Sequence, residues 1–297
     1  MSSNFAAFKQ HEYTQDEVRA ALKQAGLVSG TAAIVHASLF SLGHMVDDNG
    51  DFAQTWIDLL LEAVGPDGAI ILPAFTYSYC KGKVYDPHKS LSTVSLLANQ
   101  AIVTHQGYRT LDPIFSYVIL PGSEAVAKKV AAYQFSNVCF DMDNSIVGLA
   151  RSISDNPVIC EPKANDEFPS FTVVHFAEQK VHRETRFMKV FKGTTIINGA
   201  PQQTECHYFC RVLIPNTELD FSRLDLSANK VSLGYGGIES YQLNAYLEGC
   251  CKVISLDSWV WLKGPALSSE ELRKYIDNEH VEEESSICRC FYLPVKL

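Results

Sequence analysis

A histidine and a carboxylate stand three residues apart in Thr172-Val173-Val174-His175-Phe176-Ala177-Glu178, the most pointed chemical pairing in this 297-residue chain. If the segment is helical, His175 and Glu178 share one face. Imidazole, with an unperturbed pKa near 6.5, can take a proton from an ammonium at neutral pH. A carboxylate beside it can fix its orientation and stabilise its protonated form. Asp143, in Phe140-Asp141-Met142-Asp143-Asn144-Ser145, is a second candidate for that carboxylate. Spacing alone leaves open whether His175 is a base or a structural histidine.

Three further segments carry side chains suited to holding a ligand. Val35-His36-Ala37-Ser38-Leu39-Phe40-Ser41-Leu42-Gly43 is rich in small and hydroxyl residues. Backbone N–H groups there can approach an anion, or the segment is an ordinary strand-to-helix turn. His36, so close to the strand, reads as a packed core histidine. Leu72-Pro73-Ala74-Phe75-Thr76-Tyr77-Ser78-Tyr79-Cys80 offers aromatics that line a small-molecule groove or pack beneath a loop. Cys80, near Lys81 and Lys83, is either a nucleophile with a lowered pKa or an incidental thiol. Arg109, ahead of the strand-like run that contains Ser116, either grips a phosphate with its planar fork or pairs with a carboxylate such as Asp112.

The elements that must position these groups alternate. Thr14-Gln15-Asp16-Glu17 has capping-box spacing, and Val18, Leu22 and Ala25 follow at helical intervals up to Gly26. Ala32-Ala33-Ile34-Val35 and Ala69-Ile70-Ile71-Leu72 read as buried strands. Trp56, Leu59, Leu60 and Val64 line a helix between them, and another helix is expected from Thr93 to Thr104. This order predicts an α/β fold with a mixed, largely parallel central sheet flanked by helices. Ligands then gather at the carboxyl ends of strands, just after Val35 and Leu72. From Arg186 the chain turns β-rich, with a hairpin signal at Asn198-Gly199. Ile238 to Leu247 reads as helical, and a further helix begins at Ser269. With no repeat or linker, the expectation is one domain, 1–185 forming a core and 186–297 a β-rich C-terminal extension.

Composition narrows the function classes. An apolar fraction of 46% supports a packed core, and a net charge of −9 opposes binding to nucleic-acid backbones. No stretch approaches the roughly 20 apolar residues of a membrane span. Residues 1–15 carry no signal-peptide core, which makes a cytoplasmic location the expectation. Nine scattered cysteines without paired C-x-x-C knuckles predict free thiols and no structural zinc.

Taken in order, these segments resemble the aminoglycoside 3-N-acetyltransferase family from about Thr31 to Phe191. The marks are Val35-His36-Ala37-Ser38-Leu39 with Leu42-Gly43, then Gly65-Pro66-Asp67-Gly68 leading into Leu72-Pro73-Ala74-Phe75. Arg109, Pro113, Ser116 and Ser145 follow, and Thr172 to Glu178 completes the series. The resemblance implies an acyl-CoA co-substrate, no metal, a primary amine acceptor, and His175 as general base. It favours Asp143 over Glu178 as the orienting acid. It places coenzyme A along Ser38, Leu39, Ser41 and Gly43, with Arg109 and Ser116, and the acceptor near Phe75, Tyr77, Tyr79 and Cys80. Three positions depart from the family pattern. Asn144 replaces a glycine, Phe171 an asparagine, and Asp112 a histidine of the resistance enzymes.

The tract Phe187 to Gly193, with Cys80-Lys81-Gly82, is similar to the branch found with surface-polysaccharide genes. That branch implies an acetyl or short hydroxyacyl group moved to a nucleotide-linked amino sugar, as in lipopolysaccharide and O-antigen synthesis. Charge argues the other way. Asp141, Asp143 and Glu282-Glu283-Glu284 would attract a polycationic aminoglycoside. A catalytically idle relative that binds CoA or an amino sugar, and a hydrolase built on Cys80, are the remaining readings. A homodimer is compatible with the sequence, which does not choose the oligomeric state.

Overall fold

The first helix begins where its cap is written. Thr14 Oγ1 accepts from Glu17 N, and Thr14 N donates back to the Glu17 carboxylate at 2.7 Å. Helix α1 (Gln15–Gln24) therefore starts with its orphan donors satisfied and buries Val18, Ala21 and Leu22. The computed structural model of the chain describes residues 10–165, 167, 171–215, 217–220, 226–276, 279, 281 and 287–297. Glu282-Glu283-Glu284 lies outside the described residues.

The central sheet gathers eight strands from both sides of residue 185. In chain order they are β1 (Ala32–Val35), β2 (Ala69–Pro73), β3 (Tyr108–Arg109), β4 (Tyr117–Pro121) and β5 (Val158–Ala164). After the hairpin strands β6 (Arg186–Ile197) and β7 (Ala200–Arg211) come β8 (Asn229–Leu233), β9 (Gly236–Gln242) and β10 (Val295–Lys296). Their spatial order is β8-β9-β5-β1-β2-β4-β3-β10. The sheet is mixed as expected, and its parallel pairings are confined to the two junctions at the centre, where β1 lies between β5 and β2. The outer junctions are antiparallel.

Strand alternation divides the core into two layers. Ala32, Ile34, Ile71 and Ile119 face one side, while Ala33, Val35, Ile70, Leu72 and Val118 face the other. The second side is covered by α1, α2 (Phe52–Val64) and α3 (Leu96–Val103), which bury Leu22, Trp56, Leu60 and Leu97. The first side is covered by α4 (Glu124–Ala132), α5 (Ile146–Ile153), α6 (Val174–Lys180) and α7 (Leu243–Leu256). Helices on both faces explain why the central strands read as continuous apolar runs. A final helix, α8 (Ser269–Ile276), buries Leu272 against Trp259 and Leu262.

Two boundaries differ from the sequence expectation. Helix α3 starts at Leu96 rather than Thr93, because Ser95 is its N-cap and accepts from Ala98 N. The run from Ile238 to Leu247 divides: β9 extends to Gln242, and α7 starts at Leu243. Pairing with β5 on one side and β8 on the other gives β9 two hydrogen-bonded neighbours, and this overrides local helix propensity.

Strands β6 and β7 form the hairpin foreseen at Asn198-Gly199, which joins two twelve-residue strands in unbroken register. Both turn residues have positive φ, 51° and 77°, the signature of a tight hairpin turn. The hairpin stands outside the central sheet. It delivers Arg186 and Cys206 to the layer that contains α6.

Candidate active site

Helix α6 is short, and it presents His175 and Glu178 on one face. His175 Nδ1 lies 2.5 Å from Glu178 Oε2. The carboxylate is also held by two arginines, Arg183 on Oε1 and Arg186 on the oxygen that the histidine contacts. Arg183 Nη1 donates to Oε1 at 2.5 Å, and Arg186 Nε forms an ion pair with Oε2 at 2.7 Å. Arg186 Nη2 also comes within 2.8 Å of His175 Nδ1. The glutamate and both arginines are buried, while the histidine side chain keeps 17% exposure.

The arginines are anchored in turn. Arg183 Nε donates to the Ser258 carbonyl at 2.7 Å, with its guanidinium 5.1 Å over the Trp261 ring. Arg186 Nη1 donates to the Phe209 carbonyl on β7 at 2.8 Å. Phe140 packs against the imidazole with ring centroids 5.2 Å apart. The histidine is thus fixed by groups from α6, the turn after it, the hairpin and the loop before α5.

The electrostatics select protonation states. Burial opposes ionisation of Glu178, but His175, Arg186 and Arg183 together hold its carboxyl down at about 2. Burial, reinforced by Arg186, lowers the His175 pKa and favours neutral imidazole. Nδ1 cannot donate to the carboxylate and accept from Arg186 at once. The 2.5 Å contact to an ionised oxygen is attractive only when Nδ1 carries the hydrogen, which leaves Nε2 with the basic lone pair. The arrangement can therefore accept a proton at Nε2 and stabilise the resulting imidazolium against Glu178.

Asp143, the preferred orienting acid in the sequence, is not the carboxylate that contacts the imidazole. Its carbonyl accepts from Tyr133, and its N–H donates to Asp141 Oδ1 at 3.0 Å. With Asp141, Phe176, Lys180 and Arg289 it lines a separate cavity of about 290 Å³. Glu178 takes the position because the helix itself places i and i+3 together. Arg183 and Arg186 escaped the sequence reading. Their signal was only two more cations at the end of the same segment, and Arg186 reaches the site through the geometry of the hairpin.

The residues expected along coenzyme A divide. Arg109 is wholly buried and directs its guanidinium at the carbonyls of Pro87, Ser90 and Ala74, at 2.6–3.0 Å, and at Ser116 Oγ. Ser116 Oγ donates to the Ala74 carbonyl at 2.7 Å. This pair ties loops together from inside and is closed to a phosphate, because burial without a carboxylate partner is met here by carbonyl acceptors. Ser38 and its neighbours lie at the carboxyl end of β1. Ser38 N donates to Pro162 O at 2.9 Å. Ser41 Oγ donates to Ser38 O at 2.6 Å and accepts from Ala164 N at 2.9 Å, and Leu39 is buried. Gly43 has φ 116°, and a Cβ there would sit 2.3 Å from His11 O. These bonds tie the turn to β5, whose Ala164 lines a groove of about 90 Å³ together with Lys163, Lys230 and Glu239, the carboxylate that both lysines pair with. His36 is buried with Nε2 unpartnered among the described residues, and burial lowers its pKa to about 3.

The four residues expected at the acceptor side also divide. Phe75 is buried and meets Phe115 and Tyr117 edge-on. Tyr79 is buried, with its hydroxyl donating to Thr204 O at 2.6 Å. Both are packing residues, and Tyr79 packs on the hairpin. Tyr77, at φ 52°, and Cys80 remain exposed. Burial and then Asp112 raise the Cys80 pKa despite Lys189 and Lys81, which leaves a thiol rather than a thiolate.

The model of the aminoglycoside 3-N-acetyltransferase family matches residues 34–133, a stretch that ends before His175. No curated protein matches the chain. Among solved structures, sisomicin-bound AAC-VIa superposes with a TM-score of 0.64 at 16% identity, covering 82% of this chain and 98% of that one. Apo AAC(3)-IVa gives 0.64 at 14% identity, covering 90% and 99%. AAC-IIIb in binary complex with CoASH gives 0.62 at 17%, covering 86% and 100%. The fold is the one these acetyltransferases share. Among the described residues, no helix is long and apolar enough to cross a membrane.

Proposed function

We propose that the chain is an acyl-CoA-dependent N-acyltransferase that acts on the amine of a sugar, with His175 as general base and Glu178 as its orienting carboxylate. The observation that supports this most strongly is the 2.5 Å contact between His175 Nδ1 and an ionised, doubly arginine-paired Glu178. The family match and the fold shared with acetyltransferases, one of them solved with CoASH, supply the donor. The Ser38–Gly43 turn and the groove beside it would hold the coenzyme, which brings an activated thioester.

In the reaction His175 Nε2 takes the proton of the acceptor ammonium. The freed amine forms a C–N bond to the thioester carbonyl, the C–S bond breaks, and the second proton of the nitrogen passes to the departing sulfur, so that coenzyme A leaves as the free thiol. Because the thioester is already activated, no acyl-cysteine is needed, in agreement with the raised pKa of Cys80. Arg186 keeps the resting imidazole neutral, and Glu178 supports the charge it acquires.

The acceptor in this reading is a nucleotide-linked amino sugar, and the acyl group is acetyl or short hydroxyacyl. The two tracts that suggest that branch come together through Tyr79, the residue just before Cys80-Lys81-Gly82. A Cβ on Gly193 would lie 2.7 Å from its ring, so the loop begins against the hairpin strand that carries Phe187 to Gly193. Lys81 is exposed at that junction and would suit an anionic diphosphate better than a polycation, while Lys189 is paired with Glu279 and Asp112 has the larger electrostatic effect at Cys80. The aminoglycoside reading is favoured instead by the family match and by sisomicin in a neighbour.

The experiment is CoA release from acyl-CoA with parallel panels of nucleotide-linked amino sugars and aminoglycosides, for wild type and His175→Ala. General base assistance of about 10²–10⁴ should vanish from kcat with little change in KM. Near-normal kcat in a folded His175→Ala protein removes the mechanism, and turnover confined to the antibiotics removes the acceptor assignment.

A further inference from the structure

Asp112, Cys139 and Cys206 converge where the hairpin meets the edge of the sheet. Their ligand atoms all lie within 4.8 Å of one another, and all three residues are buried. Cys139 Sγ and Cys206 Sγ are 3.3 Å apart, and Cys206 Sγ is 3.6 Å from Asp112 Oδ1. The three come from the loop after β3, the loop before α5, and strand β7. Asp112 and Cys206 also line a cavity of about 450 Å³, whose wall includes the exposed thiols of Cys288 and Cys290.

We propose that Asp112, Cys139 and Cys206 form a binding site for a thiophilic divalent cation of the Zn²⁺ class, with the cavity side open for a further ligand. Two sulfurs and one carboxylate oxygen are a borderline-soft donor set, which zinc takes and magnesium or calcium do not. Zn–S bonds of about 2.3 Å at a tetrahedral angle need the sulfurs about 3.8 Å apart. The thiols need move apart by only about 0.5 Å to reach that geometry. Asp112 is pre-set, since Oδ1 accepts from Ile114 N and Phe115 N at 2.8 Å each. Such backbone support fixes the orientation of a ligating carboxylate. Cys288 and Cys290 offer an incoming soft ion its first contacts.

Binding breaks two S–H bonds and forms two metal–sulfur bonds, and both protons pass to the buffer. No C-x-x-C spacing announces the site, because Cys139 and Cys206 are 67 residues apart and Asp112 and Cys206 are 94 apart. The ion would fasten the hairpin to the loop that carries Phe140, the ring packed on His175. The proposal stands independently of the acyltransferase reading, and its test does not use activity.

The test is titration of the reduced, full-length protein with Zn²⁺ and Cd²⁺, followed by calorimetry and by thiolate-to-metal charge-transfer absorption. It uses the wild type and a Cys80→Ser/Cys288→Ser/Cys290→Ser background that lacks the exposed thiols. One equivalent per chain should bind in both. Adding Cys139→Ser or Cys206→Ser should weaken it by at least about 100-fold, and Asp112→Asn by about 10- to 100-fold. Should those variants fail to fold, alkylation in the wild type reads the same point. Cd²⁺ should slow labelling of Cys139 and Cys206 specifically. Binding lost with the three exposed cysteines alone, or labelling of Cys139 and Cys206 unchanged by Cd²⁺, overturns the site. So does a reduced protein that re-forms a Cys139–Cys206 disulfide while taking up no metal.

Discussion

Glu178→Gln removes one negative charge from a buried cluster and leaves the shape of the side chain almost unchanged. The structure sets the magnitude by two routes. The folded carboxyl titrates at about 2 against 4.5 when free, and at ~1.4 kcal/mol per pH unit that difference is about 3 kcal/mol. Independently, removing one partner from a buried ion pair costs about 3–5 kcal/mol, because the remaining charge stays buried and unpaired. Here two guanidiniums, Arg183 and Arg186, would be left so. Urea unfolding at neutral pH, followed by tryptophan fluorescence, should therefore place the variant about 3 kcal/mol below wild type. Since the folded pKa is depressed, the wild-type advantage is whole above about pH 4.5 and disappears as pH falls toward 2. The gap between the two proteins should narrow over that window. A gap below about 1 kcal/mol at neutral pH, or one that stays constant down to pH 3, would refute the reading of Glu178 as the ionised centre of this cluster.

Three other outcomes follow from the same geometry. Because burial and Arg186 lower the His175 pKa, kcat/KM should hold on the acid side until the pH is below about 6.5 and fall only then; a fall centred above 7 contradicts a desolvated neutral base. Cys80→Ser should keep substantial turnover, and mass spectrometry of the enzyme with acyl-CoA should find no acylated Cys80, whereas a dead variant together with acyl label on the wild-type thiol defeats direct transfer. Arg109→Ala should lower the unfolding free energy by about 3 kcal/mol, for its several buried acceptors, without raising the acyl-CoA KM in the folded protein; a selective KM effect at unchanged stability would return Arg109 to the coenzyme site.

Local signals in the sequence determined several elements one by one. The capping box at Thr14, the apolar runs at Ala32 and Ala69 and the Asn198-Gly199 turn each act over a few residues, and each element formed there. The i, i+3 spacing of His175 and Glu178 is of the same kind, since one helical turn suffices to bring them together. Pairings across long sequence separations were decided only in three dimensions. Gln242 ended a strand rather than continuing a helix because β5 and β8 supplied hydrogen bonds that no local pattern encodes. Arg109 and Ser116 turned inward because the carbonyls that receive them arrive from other loops. Arg186 joined Glu178, and Cys206 met Cys139 and Asp112, because one hairpin carries both residues back to the core. Charge and hydrogen-bonding chemistry depend on distances of about 3 Å, and for residues far apart in the chain only the tertiary structure sets those distances.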